Sequence, residues 1–354
     1  MSRLVVVGIE GDARSLALHR ALKAARRDAI FVSWRDALED TSTLTRNGRV
    51  GDLLRVDSPG ADPETWHALA RLGGSTARLL HGEWRPGRAW FAGLGEALFA
   101  IERATPHLAP THPARDILAM TDKLACDAIL RAGGVQTPET FTVESVSALR
   151  DRLRSTARHA VFVKPRWGSS GAGVLAYRWS ATREQLITTA RFSENRVFND
   201  KRLTTYTDRE SIDRLLGVVI DDGAIVQRWI PKASVEAGPF DLRVLVIAGR
   251  IEHRIARVGR GTITNLHIDA SRLDADRALA SFDARARERL EVECRKAAAC
   301  FPRHAAIGID VMLDPRGRPF VLECNAWGDH LPRLTSNGLD TYEAQVREMF
   351  RGAA

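Results

Sequence analysis

Residues 306–331 read AIGIDVMLDPRGRPFVLECNAWGDHL, and their pattern decides the fold. Two apolar runs flank Asp314-Pro315-Arg316-Gly317, which carries proline and glycine where a short hairpin loop wants them. Folded as a hairpin, the runs set Asp310 roughly opposite Glu323. Side chains alternate faces along a strand, so Asn325 shares the face of Glu323. Two carboxylates and a carboxamide then converge on an otherwise apolar ribbon. Like charges opposed across strands destabilise a sheet, so the arrangement asks for a cation. Three hard oxygen donors suit Mg²⁺, which in proteins commonly also grips phosphates. The other reading is a hairpin whose polar residues simply face water, and the hairpin alone does not choose between them.

The chain has 354 residues, room for two or three domains with a sizeable core. With 44% hydrophobic and 27% charged residues it falls among ordinary globular proteins, which sets aside fibrous and disordered classes. No apolar run approaches bilayer thickness. The short run at residues 4–9 is followed by Glu10 and Asp12 with no small-residue cleavage site, so it reads as a first strand and not a signal peptide. The four cysteines, Cys126, Cys294, Cys300 and Cys324, form no C-x-x-C pair, and no histidines sit at zinc spacing. Reduced structural thiols in a cytoplasmic protein are expected. The net charge of +8 comes from dispersed arginines. No basic run carries interleaved aromatics, which argues against nucleic acid as a partner. A smaller polyanion such as a nucleotide remains compatible with that charge.

From the N-terminus, a buried-strand pattern (4–9), a helical stretch (13–25) and a second strand (29–34) predict a parallel, doubly wound sheet. Gly8 and Gly11 fall short of G-x-G-x-x-G, so no dinucleotide is expected there. Helical patterns follow at 63–80 and 89–104, then TPHLAPTHP at 105–113, whose three prolines mark a linker. A helix is expected over 115–132, ended by Gly133-Gly134, a strand-rich segment over 225–258, and helices over 274–300 and 340–350. The polar, arginine-rich segment 191–214 fits no motif and reads either as a surface insertion or as a wall of the substrate mouth. The expected class is α/β with an α+β core, divided at 1–113, 114–225 and 226–354.

Three more stretches carry chemistry. VFVKP at 161–165 ends an apolar strand in Lys164, and buried strands rarely end in a charge without a partner. RWGSSGAG follows at 166–173; its backbone N–H groups can point inward around an anion, although no G-K-[ST] ending makes it a Walker loop. AIVQRWIP at 224–231 is a strand stopped by proline, leaving backbone groups that an adenine edge, or only solvent, can pair with. FDLRVLVI at 240–247 puts Asp241 and Arg243 on one face, and the next strand carries Arg254 and Arg257. Such arginines call for a phosphate or carboxylate between them, or form a solvated face.

In order, Lys123, Lys164-Pro165 with the glycine run, the strand ending near Ile230, Asp241-Leu242-Arg243, Arg257, Thr264-Asn265 and Asp310 with Glu323-Cys324-Asn325 resemble the ATP-grasp superfamily. The nearest likeness is to the branch with glutathione synthetase and the ligase that adds glutamates to a ribosomal protein. It covers about residue 120 to the C-terminus; the region before the linker looks like the Rossmann-like pre-ATP-grasp domain. The resemblance implies an ATP-grasp fold and an ATP-dependent ligase that joins a carboxylate to an amine, or less often a thiol, through an acyl phosphate. It implies ATP and Mg²⁺, with Mn²⁺ as a substitute, and an amino acid or peptide as substrate. Lys123 and Lys164 would hold the ATP phosphates, under a lid containing Ser169, Ser170 and Gly171. Gln227, Arg228, Trp229 and Ile230 would form the hinge whose backbone reads adenine, and Glu236 would serve the ribose hydroxyls. Asp310, Glu323 and Asn325 would ligate Mg²⁺, with Glu323 bridging. Arg243 and Arg257 would steady the transferred phosphate, with Lys164 also acting in catalysis and Asn265 near the reacting groups. The hinge departs from the family, which often carries Glu where this chain has Gln227 or Arg228. His330 and Arg333 read either as substrate contacts or as polar loop residues. A kinase on this fold and a nucleotide-binding protein with decayed catalysis are the competing readings. No membrane partner is expected, and the oligomeric state stays open, a homo-oligomer included.

Overall fold

Three sheets organise the computed structural model, which describes residues 2–351 apart from 61, 81, 169–171, 195, 260, 264–269, 329 and 330. The first grows from LVVVG at Leu4–Gly8, buried at every position. It pairs in parallel with Ala29–Ser33 and Leu53–Val56, as the opening β-α-β pattern predicts. Asp12 caps helix Ala13–Ala24 by accepting from the Ser15 N–H at 2.7 Å. The proline-rich stretch is not a free linker. Ala109–Pro110 forms the sheet's last strand, beside Leu53–Val56. Proline is tolerated there because an edge strand can spare a ladder donor.

The second sheet is antiparallel, in the order Thr140–Phe141, Ala224–Arg228, Ala160–Pro165, Leu175–Trp179, Glu184–Ser193, Arg196–Tyr206. The segment read as a surface insertion supplies its outer hairpin and the start of helix Arg209–Asp222. That helix packs Ile212, Leu215, Leu216 and Val219 into the same core as Val161 and Val163.

The third sheet, also antiparallel, runs Ser271–Asp274, Arg250–Val258, Gly238–Ile247, Ala306–Leu313, Pro319–Asn325. Helix Ala284–Ala299 covers it, and Ile117, Met120, Cys126 and Leu130 of the preceding helices share its core. Helices Ala114–Thr121 and Lys123–Ala132 therefore pack with the C-terminal sheet, although the 114–225 unit expected them with the middle one. Strand Ala224–Arg228 crosses the expected 225/226 boundary, because its ladders go to Thr140–Phe141 and Ala160–Pro165. The closing helix Thr341–Met349 returns to the first layer, setting Tyr342 and Val346 against Leu18 and Leu22.

Two expected helices are broken, each where an aspartate caps the next turn. Asp122 ends Ala114–Thr121 and caps Lys123–Ala132, accepting from Leu124 and Ala125 N–H. Asp283 caps Ala284–Ala299 after a short helix, Ala275–Ala278. Among the described residues no helix is long and apolar enough to cross a membrane.

His112 and His304 meet edge to face at 4.5 Å between ring centroids, both buried. Burial pushes His304 down to about 4 and His112 well below its usual range. Both rings are neutral in the folded chain, while unfolding lets them take protons near 6.5. Stability is therefore full above that pH and is lost as pH falls from 6.5 through about 4. By pH 5 the expected loss is about 2 kcal/mol per histidine. Urea midpoints at pH 7.5 and 5 check it; His304→Gln should lose about half of the histidine part of the slope.

Candidate active site

The hairpin forms in the expected register. Asp310 pairs with Glu323 and Gly308 with Asn325. Gly317 closes the turn at φ +71°, donating to the Asp314 carbonyl at 2.9 Å, and the Asp314 carboxylate accepts from the Arg316 and Arg318 N–H groups. A register shift between Asp310 and Val311 leaves Leu322 as an extra residue on the partner strand. A bulge of this kind re-aims side chains, and here Leu322 and Glu323 both line one cleft.

That cleft lies between the second and third sheets and holds about 940 Å³ of empty space, counting its open mouth. Lys123 stands at the start of its helix, its Nζ 3.7 Å from Glu323 Oε2 and donating to the Gly168 carbonyl. Lys164 donates to Gln227 Oε1 at 2.6 Å across paired strands. Burial pulls the Lys164 ammonium down to about 8; Glu323 pulls it back, and Lys123 and Lys232 push it further. Arg243 Nε lies 2.8 Å and Arg257 Nη2 3.1 Å from Asp310 Oδ1. Arg257 also donates to Asp241 Oδ1 at 2.6 Å, and Lys232 donates to the other oxygen of Asp241. Arg254 is not part of this group. Three residues from Arg257 on one strand, it faces the other way and pairs with Asp276 at 2.7 Å and Glu291 at 3.1 Å.

The donor set fits a divalent cation. Burial raises Asp310. Glu323 is held low by Lys123, Lys164 and Arg243 against its own burial, and the two carboxyl groups are hydrogen-bonded to each other. Touching carboxyl groups share a proton or a cation. Asn325 spends its Nδ2 on the Gly308 carbonyl at 3.3 Å, which leaves its amide oxygen as a third donor. Among the described residues no three His, Cys, Asp or Glu side chains are placed to hold a metal ion by themselves, so the carboxamide is needed as the third ligand. Oxygen-only ligation by two carboxylates and a carboxamide is hard-cation chemistry.

At the other end, Arg228 and Trp229 spend their backbone N–H groups on the Glu139 and Ala160 carbonyls. Among the described residues the Ile230 N–H has no backbone partner, so of these three residues it alone keeps a backbone donor for a ligand. Phe162 and Trp229 sit 4.9 Å apart, and with Met312 and Leu322 they give the cleft an apolar end. Glu236 is elsewhere: it is exposed in the turn between Ser234–Val235 and Gly238–Ile247 and does not line the cleft, which corrects the ribose role expected of it. Arg333 is exposed at φ +64°. Ser169, Ser170, Gly171, Asn265 and His330 lie outside the described residues. Sequence reading missed Lys232, Phe162, Met312 and Leu322 as cleft residues. Period-two spacing from Lys164 and Asp310 could have found Phe162 and Met312.

A YheC/D-like ATP-grasp family model matches residues 131–351. The chain belongs to that family. No curated protein matches it by sequence. Solved structures share the fold over nearly the whole chain. D-cycloserine synthetase DcsG is 17% identical, with 98% of this chain and 99% of that one covered and a TM-score of 0.63. ATP-grasp ligase PsnB, solved with its minimal precursor, is 15% identical over 98% and 99%, at 0.54. Macrocyclase MdnC from Microcystis aeruginosa MRC, bound with precursor peptide MdnA, is 14% identical over 99% and 100%, at 0.55.

Proposed function

We propose that this ATP-grasp chain is an ATP- and Mg²⁺-dependent carboxylate–amine ligase acting on an amino acid or a peptide. The observation that carries the reading is the meeting, in one cleft, of Lys123 and Lys164 with the Asp310–Glu323 carboxyl pair. Triphosphate needs cationic partners, and its metal needs oxygen ligands; both are within a few ångströms here.

Lys123 and Lys164 bind the phosphates, and the apolar end beside Ile230 takes the base. Asp310, Glu323 and Asn325 would hold Mg²⁺, which when bound neutralises phosphate charge. A substrate carboxylate oxygen attacks the γ-phosphorus and ADP leaves, giving an acyl phosphate. A neutral amine then attacks the acyl carbon; phosphate departs, the amine proton passes to solvent or phosphate, and the amide remains. Arg243 and Arg257, fixed by Asp310 and Asp241, are poised to balance charge on the transferred phosphoryl group. Their rigidity means little reorganisation at the moment of transfer.

PsnB with its minimal precursor, MdnC with precursor peptide MdnA, and D-cycloserine synthetase DcsG support this substrate class. The test is purified protein with ATP, Mg²⁺ and pools of amino acids or peptides. Equal amounts of ADP, phosphate and a condensed product, lighter than its parts by one water, are expected. A stably phosphorylated product instead would make the chain a kinase, and ATP binding without turnover on any pool would leave it a nucleotide-binding protein.

A further inference from the structure

The glycine-rich run between Trp167 and Gly173 is gripped at both ends by one segment of the N-terminal layer, residues 82–91. At the far end, Trp84 leaves that layer and is buried in the core of the second sheet with Leu149, Val161 and Tyr177. Its backbone N–H donates to the Val197 carbonyl at 2.7 Å, and Asn199 N–H donates to the Gly82 carbonyl at 2.9 Å, so the segment adds a strand-like edge to Arg196–Tyr206. Glu83 pairs with Arg196 at 2.7 Å. Gly173, at φ +69°, lies flat on the Trp84 indole: a Cβ built there would fall 1.7 Å from the ring. Gly173 N–H also donates to Asn199 Oδ1 at 3.2 Å.

At the near end, Trp167 stacks on Phe91, with 5.5 Å between centroids and 20° between planes. Arg88 lies over the same indole at 5.7 Å. Gly87 passes so close that a Cβ would sit 2.4 Å from the Trp167 carbonyl oxygen. Asp222 fixes the segment by accepting from Gly87 N–H at 2.6 Å and Arg88 N–H at 3.3 Å.

We infer that Trp84 and Phe91 are positioning residues for the ATP phosphate site: they set where the glycine-rich run begins and ends. They touch no reacting atom. They act through Trp167 and Gly173, and the near end continues directly to Gly168, whose carbonyl accepts from Lys123. The phosphate-binding meaning rests on the proposed function; the clamp itself rests on contacts alone. Core packing by itself would not place both ends of one loop on one foreign segment. Nor would it require glycine at the contact with each tryptophan. A shift of about 1 Å in such a loop can cost on the order of 100-fold in rate.

The experiment uses Trp84→Ala and Trp84→Phe in the full chain. Hydrogen exchange is read without nucleotide, so the clamp is tested even if ATP is not the ligand. In Trp84→Ala, exchange should rise in peptides holding Gly168 and Ala172–Val174 while peptides of helix Arg209–Asp222 keep their protection. Trp84→Phe should restore it, because among the described residues the indole N–H has no hydrogen-bond partner to lose. With ATP, Trp84→Ala should raise KM for ATP about tenfold or more, and Trp84→Phe should recover most of it. Loss of protection across the whole second-sheet core would show a merely structural tryptophan and overturn the inference. So would unchanged exchange beside the glycines, or a Phe variant as poor as Ala. If the exchange result holds while no variant binds ATP, the clamp stands and the ligase reading falls.

Discussion

Glu323→Gln is expected to cut ATP-dependent turnover on the order of 1,000-fold or more while lowering the thermal midpoint only modestly. The two halves have one cause. Glu323 faces Lys123 at 3.7 Å and also touches the Asp310 carboxyl. In the resting fold Lys123, Lys164 and Arg243 hold it charged against its own burial, so removing the charge withdraws some stability. With metal–triphosphate present, the proposed role makes that charge a ligand, and the larger part of its loss is then felt in the transition state. Steady-state product formation, with a thermal melt of the same sample, checks both halves. Turnover within tenfold of wild type would remove Glu323 from the metal site, and a collapse of the melt would make it a structural residue. Asn325→Ala should fall between the two, since it withdraws one neutral donor and no charge.

The hairpin was legible because its signals are local. Although the bulge at Leu322 that brings them directly opposite was not legible, alternation, a Pro-x-Gly turn and an acid on each arm set Asp310 near Glu323 without knowledge of anything else. The same holds for Lys164, two residues from Phe162 on a strand that the apolar run marks plainly. Tertiary partners were not legible. Asp122 breaks a stretch that reads as one helix because its carboxylate holds Arg166, at 2.7 and 2.6 Å, from far along the chain. Lys232 reads as a solvent lysine after a proline until the fold brings Asp241 to it. The prolines at 105–113 suggested slack, yet Thr111 donates to the Leu54 carbonyl and His112 is buried beside His304. Glu236 failed in the opposite way. Its type suited a ribose contact, but the turn that carries it is exposed and does not line the cleft. Trp84 left no trace in the pattern at all, since a lone tryptophan between helices says nothing about which sheet it enters.

Asp241→Asn is the second large effect, and it separates stability from charge placement. Asp241 is 1% exposed and accepts from Arg257 at 2.6 Å and from Lys232 on its other oxygen. Breaking a buried pair by removing one partner typically costs about 3–5 kcal/mol, because the opposite charge stays behind without compensation. Here two cations stay behind. Arg257 keeps Asp310 at 3.1 Å, while Lys232 loses its charged contact with Asp241. Asp241→Asn should therefore lose about 3 kcal/mol or more in urea denaturation. Adding Lys232→Met should recover a good part of that loss, because the double variant no longer buries the Lys232 ammonium beside a neutral carboxamide. The coupling between the two sites is the quantity to measure, by a double-mutant cycle at constant pH and salt. Activity should not recover in parallel. Once Asp241 is gone, Arg257 swings on the single tether to Asp310, and the guanidinium is no longer held where phosphoryl charge would develop. A double variant that regains both stability and turnover would mean that Asp241 serves only to neutralise its neighbours, and that the position of Arg257 does not matter to the reaction.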